Sequence, residues 1–170
     1  VQNQWPSNGK IAHYMANACN KLGKKNEALR AYEVAVQSDA PRADWVFDYA
    51  SALIDDGKEV FEISKSIPVA NYVKALQLVS TVDKEDQNWS FKAKLLQGEL
   101  MIALSKHQEA YEQYQKISNE LENVSPADAL RFQIGLGTSA YRVGNNEIAI
   151  AALKEATKDT DKAVFVNQQL

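Results

Sequence analysis

The chain has 170 residues, with 19 Lys and Arg against 22 Asp and Glu for a formal net charge of −3, and 45% of its residues are hydrophobic. That balance lacks the basic footprint of a nucleic-acid-binding protein, and no apolar run approaches the ~20 residues of a membrane-spanning helix. One cysteine, Cys19, excludes an internal disulfide, and with only two histidines, His13 and His107, there are too few ligands for a zinc site of cysteine and histidine.

The first predicted element is a helix ending near Leu22-Gly23-Lys24-Lys25-Asn26-Glu27, where Gly23 takes the left-handed conformation that closes it. Asn26 is expected to cap a second helix. Ala16, Ala28 and Ala35 supply the small residues that two antiparallel helices need where their axes approach, and Met15, Leu29 and Tyr32 fill the adjoining grooves. The next unit begins with Tyr49-Ala50-Ser51-Ala52-Leu53, and its Gly57 follows Gly23 by 34 residues. Gly57 is therefore read as the second turn glycine. Residues 58–68 then form an insertion, and Pro68 opens a helix over 69–82.

A third unit is read from Leu96-Gln97-Gly98-Glu99-Leu100-Met101 and Glu109-Ala110-Tyr111-Glu112-Gln113-Tyr114, with Ser105 in place of the turn glycine. Its second helix is expected to reach Glu122 and stop before Ser125-Pro126, since proline disfavours helix in the preceding residue. Ser125 is the expected N-cap of the next helix, with Asp128 in its first turn. The fourth unit, Leu136-Gly137 through Ala140-Tyr141, Gly144, Ile148-Ala149, Leu153 and Ala156, repeats the first. The stretch 161–170 reads as a C-terminal helix that either covers the last apolar edge or starts another unit. The chain opens at Val1 without an initiator methionine or a secretory leader, as expected of a processed protein or of a piece of a longer one.

This repeated pattern resembles the tetratricopeptide repeat (TPR), most closely over residues 9–41 and then over 127–159. Self-similarity at a fixed period of 20–50 residues is the mark of a solenoid. The resemblance implies an all-α fold, a right-handed superhelix of antiparallel helix pairs. It forms a single domain over 1–170, with repeats at about 9–41, 43–82, 89–123 and 127–159 plus the C-terminal helix. In that family the first helix of each pair lines the inner groove. Matching helical spacing assigns this role to His13, Asn17 and Asn20, then Phe47, Ser51 and Ile54, then Leu95, Glu99 and Ile102, then Ile134, Thr138 and Tyr141.

Catalytic, cofactor and metal sites are not expected. His13 and Cys19 are six residues apart on one helix, a net rotation of roughly 240 degrees, so they face different ways. Cys19 reads as a core thiol, and His107 as a solvated turn residue. Gly135-Leu136-Gly137 has a dinucleotide-loop spacing but no preceding strand, so it reads as close helix packing. The acidic run Asp83-Lys84-Glu85-Asp86 lacks the ligand order and glycine of a calcium loop, and the cluster Lys21, Lys24, Lys25 and Arg30 reads as a solvated turn.

The expected function is a non-enzymatic interaction module or scaffold that binds a partner peptide or helix in its groove, with no nucleic acid and no membrane insertion. The pattern for holding a chaperone C-terminal carboxylate is not met. Asn17 and Lys92 match it, while His13, Asp48 and Leu96 depart, and Asp48 would repel a carboxylate. Two alternatives stand beside the groove reading. One is structural self-assembly. The other is an extracytoplasmic repeat subunit, because Asp48-Tyr49-Ala50-Ser51-Ala52-Leu53, the interruption and Lys74-Ala75-Leu76 are similar to the repeat domain of bacterial cytochrome c maturation proteins. The compartment, cytoplasmic or periplasmic, stays open.

Overall fold

A computed structural model describes residues 8–82, 87–122 and 124–167. These form α1 (Gly9–Lys21), α2 (Lys25–Val36), α3 (Ala43–Ser64), α4 (Val69–Val79), α5 (Gln87–Ala103), α6 (His107–Ile117), α7 (Pro126–Arg142) and α8 (Asn146–Asn167), with a 3₁₀ turn over Ser118–Glu120. No strand occurs among the described residues. The span 1–170 divides into two compact units, residues 1–83 and 84–170, each built from two helix pairs.

Local chemistry explains most of the boundaries. The Asn8 side chain accepts from the backbone N–H of Lys10 (3.0 Å) and of Ile11 (3.3 Å), satisfying two of the donors left open at the start of α1. The helix closes with Gly23 at φ 71° and Lys24 N–H donating to the Cys19 carbonyl at 2.9 Å. The same turn recurs twice in the second unit. Lys106 donates to the Met101 carbonyl (2.8 Å) around Ser105 at φ 60°, and Asn145 to the Ala140 carbonyl (2.8 Å) around Gly144 at φ 86°. Ser105 thus occupies a conformation that costs a residue with a Cβ roughly 1–2 kcal/mol. Ser125 caps α7 as expected, its hydroxyl accepting from Asp128 N–H at 3.1 Å. Asn26 does not cap α2, which begins one residue earlier at Lys25 without a side-chain cap.

The second pair departs from the expected insertion. Gly57 is a buried residue inside α3, which runs on to Ser64 and ends with Lys65 at φ 57°. A Cβ at Gly57 would lie 3.0 Å from both Pro68 Cγ and Tyr72 Cε1, so the glycine serves the close approach of α4 rather than a turn. The second helices of pairs two and three are shorter than expected, α4 stopping at Val79 and α6 at Ile117 before the 3₁₀ turn. The backbone of α8 continues unbroken to Asn167, so residues 161–167 of the stretch read as a separate C-terminal helix are the end of α8, and 168–170 lie outside the described residues. No glycine or proline interrupts it.

Each unit has its own core. In the first, α1 and α2 meet through Ala12, Ala16, Ala28, Ala31 and Ala35, and α3 adds Trp45, Val46, Tyr49, Ala50 and Leu53, all buried. In the second, Phe91, Leu95, Ala110, Tyr114, Ile117 and Phe132 form the main cluster, and Tyr111, Ala140 and Ala149 a smaller one. Fully burying each large apolar side chain stabilises by about 1.5–3 kcal/mol.

Candidate functional site

The first helices of the pairs, α1 and α3 in one unit and α5 and α7 in the other, carry the residues expected to meet a partner. In the first unit His13 is buried and its Nε2 lies 2.7 Å from Asp48 Oδ2, joining α1 to α3. Its ring stacks on Trp45 with centroids 5.5 Å apart and planes at 21°. Asn17 Nδ2 is 3.3 Å from the same His13 nitrogen, and the Tyr32 hydroxyl donates to Asn17 Oδ1. Burial, reinforced by the Asp48 charge, pushes the Tyr32 hydroxyl up to about 12, with the Asn20 hydrogen bond opposing.

This network joins α1, α2 and α3 and consumes polar groups of His13 and Asn17, both expected from the sequence to meet a partner. His13 is therefore an internal anchor, not an exposed contact. The reason is the 35-residue separation between His13 and Asp48, which only the packing of α1 on α3 converts into a hydrogen bond. Asn17 is half-buried within the same network. Asn20 and Ser51 are exposed, and Phe47 and Ile54 are half-buried. Cys19 is half-buried on α1, and Lys25 of the basic cluster pairs with Glu59.

In the second unit Arg131 of α7 grips Glu99 of α5 through two parallel bonds, Nε to Oε1 at 2.8 Å and Nη2 to Oε2 at 2.7 Å. A third bond, Nη1 to Asp128 Oδ1 at 3.1 Å, and the Ser125 hydroxyl donating to Asp128 Oδ2 at 2.8 Å tie the pair to the start of α7. The Glu99 bond holds the Arg131 guanidinium above its usual range against the opposing effect of burial. Paired forks of this kind fix geometry more than lone ion pairs do. Beyond Arg131 along α7, Ile134 and Tyr141 are exposed, Tyr141 at 63%, and Thr138 between them is half-buried.

Arg131 was absent from the expected set, although it lies three residues before Ile134 and extends the stripe 131, 134, 138, 141 by one helical step. Leu95 is corrected in the opposite direction. It is fully buried against the Tyr114–Phe132 cluster and has no surface to offer. Ile102 is half-buried against the same cluster. Glu99, half-buried, lies 400 degrees, or about 40 degrees net, around the helix from Leu95.

Between α5 and α7 the ring of Tyr114 fills the space left by two glycines. A Cβ at Gly135 would fall 2.2 Å from the Tyr114 hydroxyl oxygen, and one at Gly98 would fall 2.7 Å from its Cζ. The hydroxyl is buried without a hydrogen-bond partner. Burial pushes its ionisation well above the ordinary tyrosine range, the Glu99 charge adding to the effect and Arg131 opposing it. Gly137 packs likewise against Leu153, so both glycines of the 135–137 pair serve close packing. His107 begins α6 half-buried, its Nδ1 enclosed without a partner.

Among the described residues no three His, Cys, Asp or Glu side chains gather as a metal site, and the acidic run at 83–86 lies outside them. No described helix is long and apolar enough to cross a membrane.

No family model matches the sequence, and no curated protein matches it at a significant level. Solved structures do match its fold. MamA MSR-1 superposes with a TM-score of 0.65 at 16% identity, covering 92% of this chain and 79% of that one. The MamA RS-1 ArsTM double mutant gives 0.68 at 13% identity, covering 92% and 78%. BtubC (BKLC) from P. vanneervenii gives 0.64 at 19% identity, covering 91% and 64%. Their likeness to this all-helical chain places its fold among the tetratricopeptide-like helical-repeat solenoids.

Proposed function

We propose that this chain is a tetratricopeptide-repeat interaction module that acts by holding a segment of a protein partner, without catalysis and without a cofactor. The observation that carries the reading is the exposed row Ile134 and Tyr141 on α7, standing beside the fixed Glu99–Arg131 pair. An apolar and an aromatic side chain held in water on a rigid helix cost little entropy to engage. The clamped carboxylate and guanidinium next to them supply orientation. The partner would present an apolar anchor towards Ile134 and Tyr141 and polar backbone towards Glu99 and Arg131, as a peptide or an amphipathic helix does.

The test compares partner capture from a native lysate by the parent chain and by an Ile134→Asp, Tyr141→Ala variant. Both positions are exposed, so helicity and melting temperature are expected to stay unchanged while the retained partner is lost. Equal retention by the two proteins would sink the assignment of this face.

A further inference from the structure

The first and third helix pairs carry the same turn, closed by Gly23 at φ 71° in one and by Ser105 at φ 60° in the other. At that register Ala28 matches Ala110, Tyr32 matches Tyr114 and Asn17 matches Glu99. Both alanines are buried, so the register holds in the packing as well as along the chain. The two tyrosine hydroxyls nonetheless end differently. In the first unit the Tyr32 hydroxyl donates to Asn17 Oδ1. In the second the Tyr114 hydroxyl is buried without a partner, although the side chain at the matching place is a carboxylate, a stronger acceptor than an amide.

What withholds the carboxylate is Arg131. Both Glu99 oxygens are bonded to its guanidinium, at 2.8 and 2.7 Å, and the Glu99 and Arg131 side chains are 32% and 43% exposed. The Tyr114 hydroxyl lies further in. A Cβ at Gly98, the residue before Glu99, would lie 3.0 Å from its oxygen, and one at Gly135, about one helical turn after Arg131, would lie 2.2 Å from it. Glutamate is one methylene longer than asparagine, so from the same helical place it has the reach to turn inward. A buried hydroxyl without a partner carries the full cost of its lost water, and a turned-in carboxylate removes that cost. Arg131 keeps a holder after such a turn, because its Nη1 donates to Asp128 Oδ1 at 3.1 Å and Asp128 is itself held by Ser125.

We infer that Glu99 is a two-position latch: turned out it closes on Arg131, and turned in it accepts from the Tyr114 hydroxyl, as Asn17 accepts from Tyr32. The turned-in position leaves the Arg131 Nε and Nη2 donors open at the surface, one helical step from the exposed Ile134. An acceptor that engages Arg131 there therefore does not strand the Glu99 charge, since a second hydrogen bond stands ready for it inside the same unit. The bidentate Arg131 bond holds the latch closed in the free chain. The latch is a property of the chain alone. Partner capture through Ile134 and Tyr141 is tested separately, so failure of one leaves the other standing.

The experiment is a mutant cycle on the 170-residue chain, read as the midpoint of urea unfolding. In the parent, Tyr114→Phe removes a hydroxyl that has no partner, so the midpoint is expected to stay or rise. In an Arg131→Met background Glu99 is released, and the same substitution is expected to lower the midpoint, because it then deletes a charge-assisted hydrogen bond. Adding Glu99→Ala to that background is expected to abolish the loss, which identifies the acceptor. The crystal structure of Arg131→Met reads the carboxylate directly, with a Glu99 oxygen expected about 2.5–3.0 Å from the Tyr114 hydroxyl. If Arg131→Met lowers helicity, Arg131→Ala replaces it. An equal effect of Tyr114→Phe with and without Arg131, a loss that persists without Glu99, or a Glu99 carboxylate still turned outward in that crystal structure would each overturn the inference.

Discussion

The ring of Tyr32 stacks on that of Tyr49 with centroids 6.0 Å apart and planes at 21°, while the Tyr32 hydroxyl donates to Asn17, so one side chain of α2 ties together α1 and α3. Truncating it removes an aromatic contact, a buried surface and a hydrogen-bond donor together. Tyr32→Ala is expected to destabilise the first unit by about 3–5 kcal/mol. Tyr32→Phe, which keeps the stack, is expected to cost about 1 kcal/mol. Urea unfolding of the two variants, followed by circular dichroism, distinguishes packing from hydrogen bonding as the main contribution.

Alkaline pH is expected to unfold the protein through its buried tyrosines. Tyr32 is pushed up to about 12, Tyr49 is raised chiefly by burial with Lys74 opposing, and Tyr114 is raised further. In the unfolded chain these hydroxyls ionise near 10. The fold therefore holds protons that the unfolded chain releases, and stability is complete below about pH 10 and falls as pH rises through about 12. Tyrosinate absorbance and helicity, titrated together, should change in one coupled step for these residues. Full tyrosine ionisation with helicity intact would refute the coupling.

Gly135→Ala would place a methyl carbon 2.2 Å from both Cζ and the hydroxyl oxygen of Tyr114, an overlap the packed α6–α7 contact has no room to relieve. A loss of about 1–3 kcal/mol is expected. In a Tyr114→Leu background the same substitution should cost less, because the shorter side chain vacates the space. A double-mutant cycle on melting curves measures that coupling, and additive losses would contradict the packing account.

Among the described residues two with side chains occupy left-handed turns, Ser105 at φ 60° and Lys65 at φ 57°. Glycine at either place relieves backbone strain of roughly 1–2 kcal/mol, offset by about 0.4–1 kcal/mol of extra freedom in the unfolded chain. Ser105→Gly and Lys65→Gly are each expected to raise the melting temperature slightly. Gly23→Ala and Gly144→Ala, at φ 71° and 86°, are expected to lower it. Scanning calorimetry of the four variants tests the sign at each turn.

The amino-acid sequence by itself determined the helix pairs, the Gly23 and Gly144 turns, the Ser105 substitution within a third turn of the same shape and the Ser125 cap. The turns and the cap depend on neighbours within about one helical turn, an αL glycine and a hydroxyl three residues ahead of an open N–H, and the pairs on alanines spaced to face one another across consecutive helices. Tertiary structure decided the rest. Gly57 carries the same residue type at the same period as Gly23, yet it lies within α3, where Pro68 just ahead of α4 and Tyr72 of α4 approach it closely. Leu95 and Glu99 sit close enough around α5 that spacing did not separate core from surface. Packing on Tyr114 and Phe132 assigned one, and Arg131 of α7 the other. His13 became an anchor rather than a contact through Asp48, 35 residues away. Local chemistry sets where a helix starts and stops, whereas the face it buries and the partner each polar group finds depend on helices distant in sequence, and no short-range pattern encodes that register.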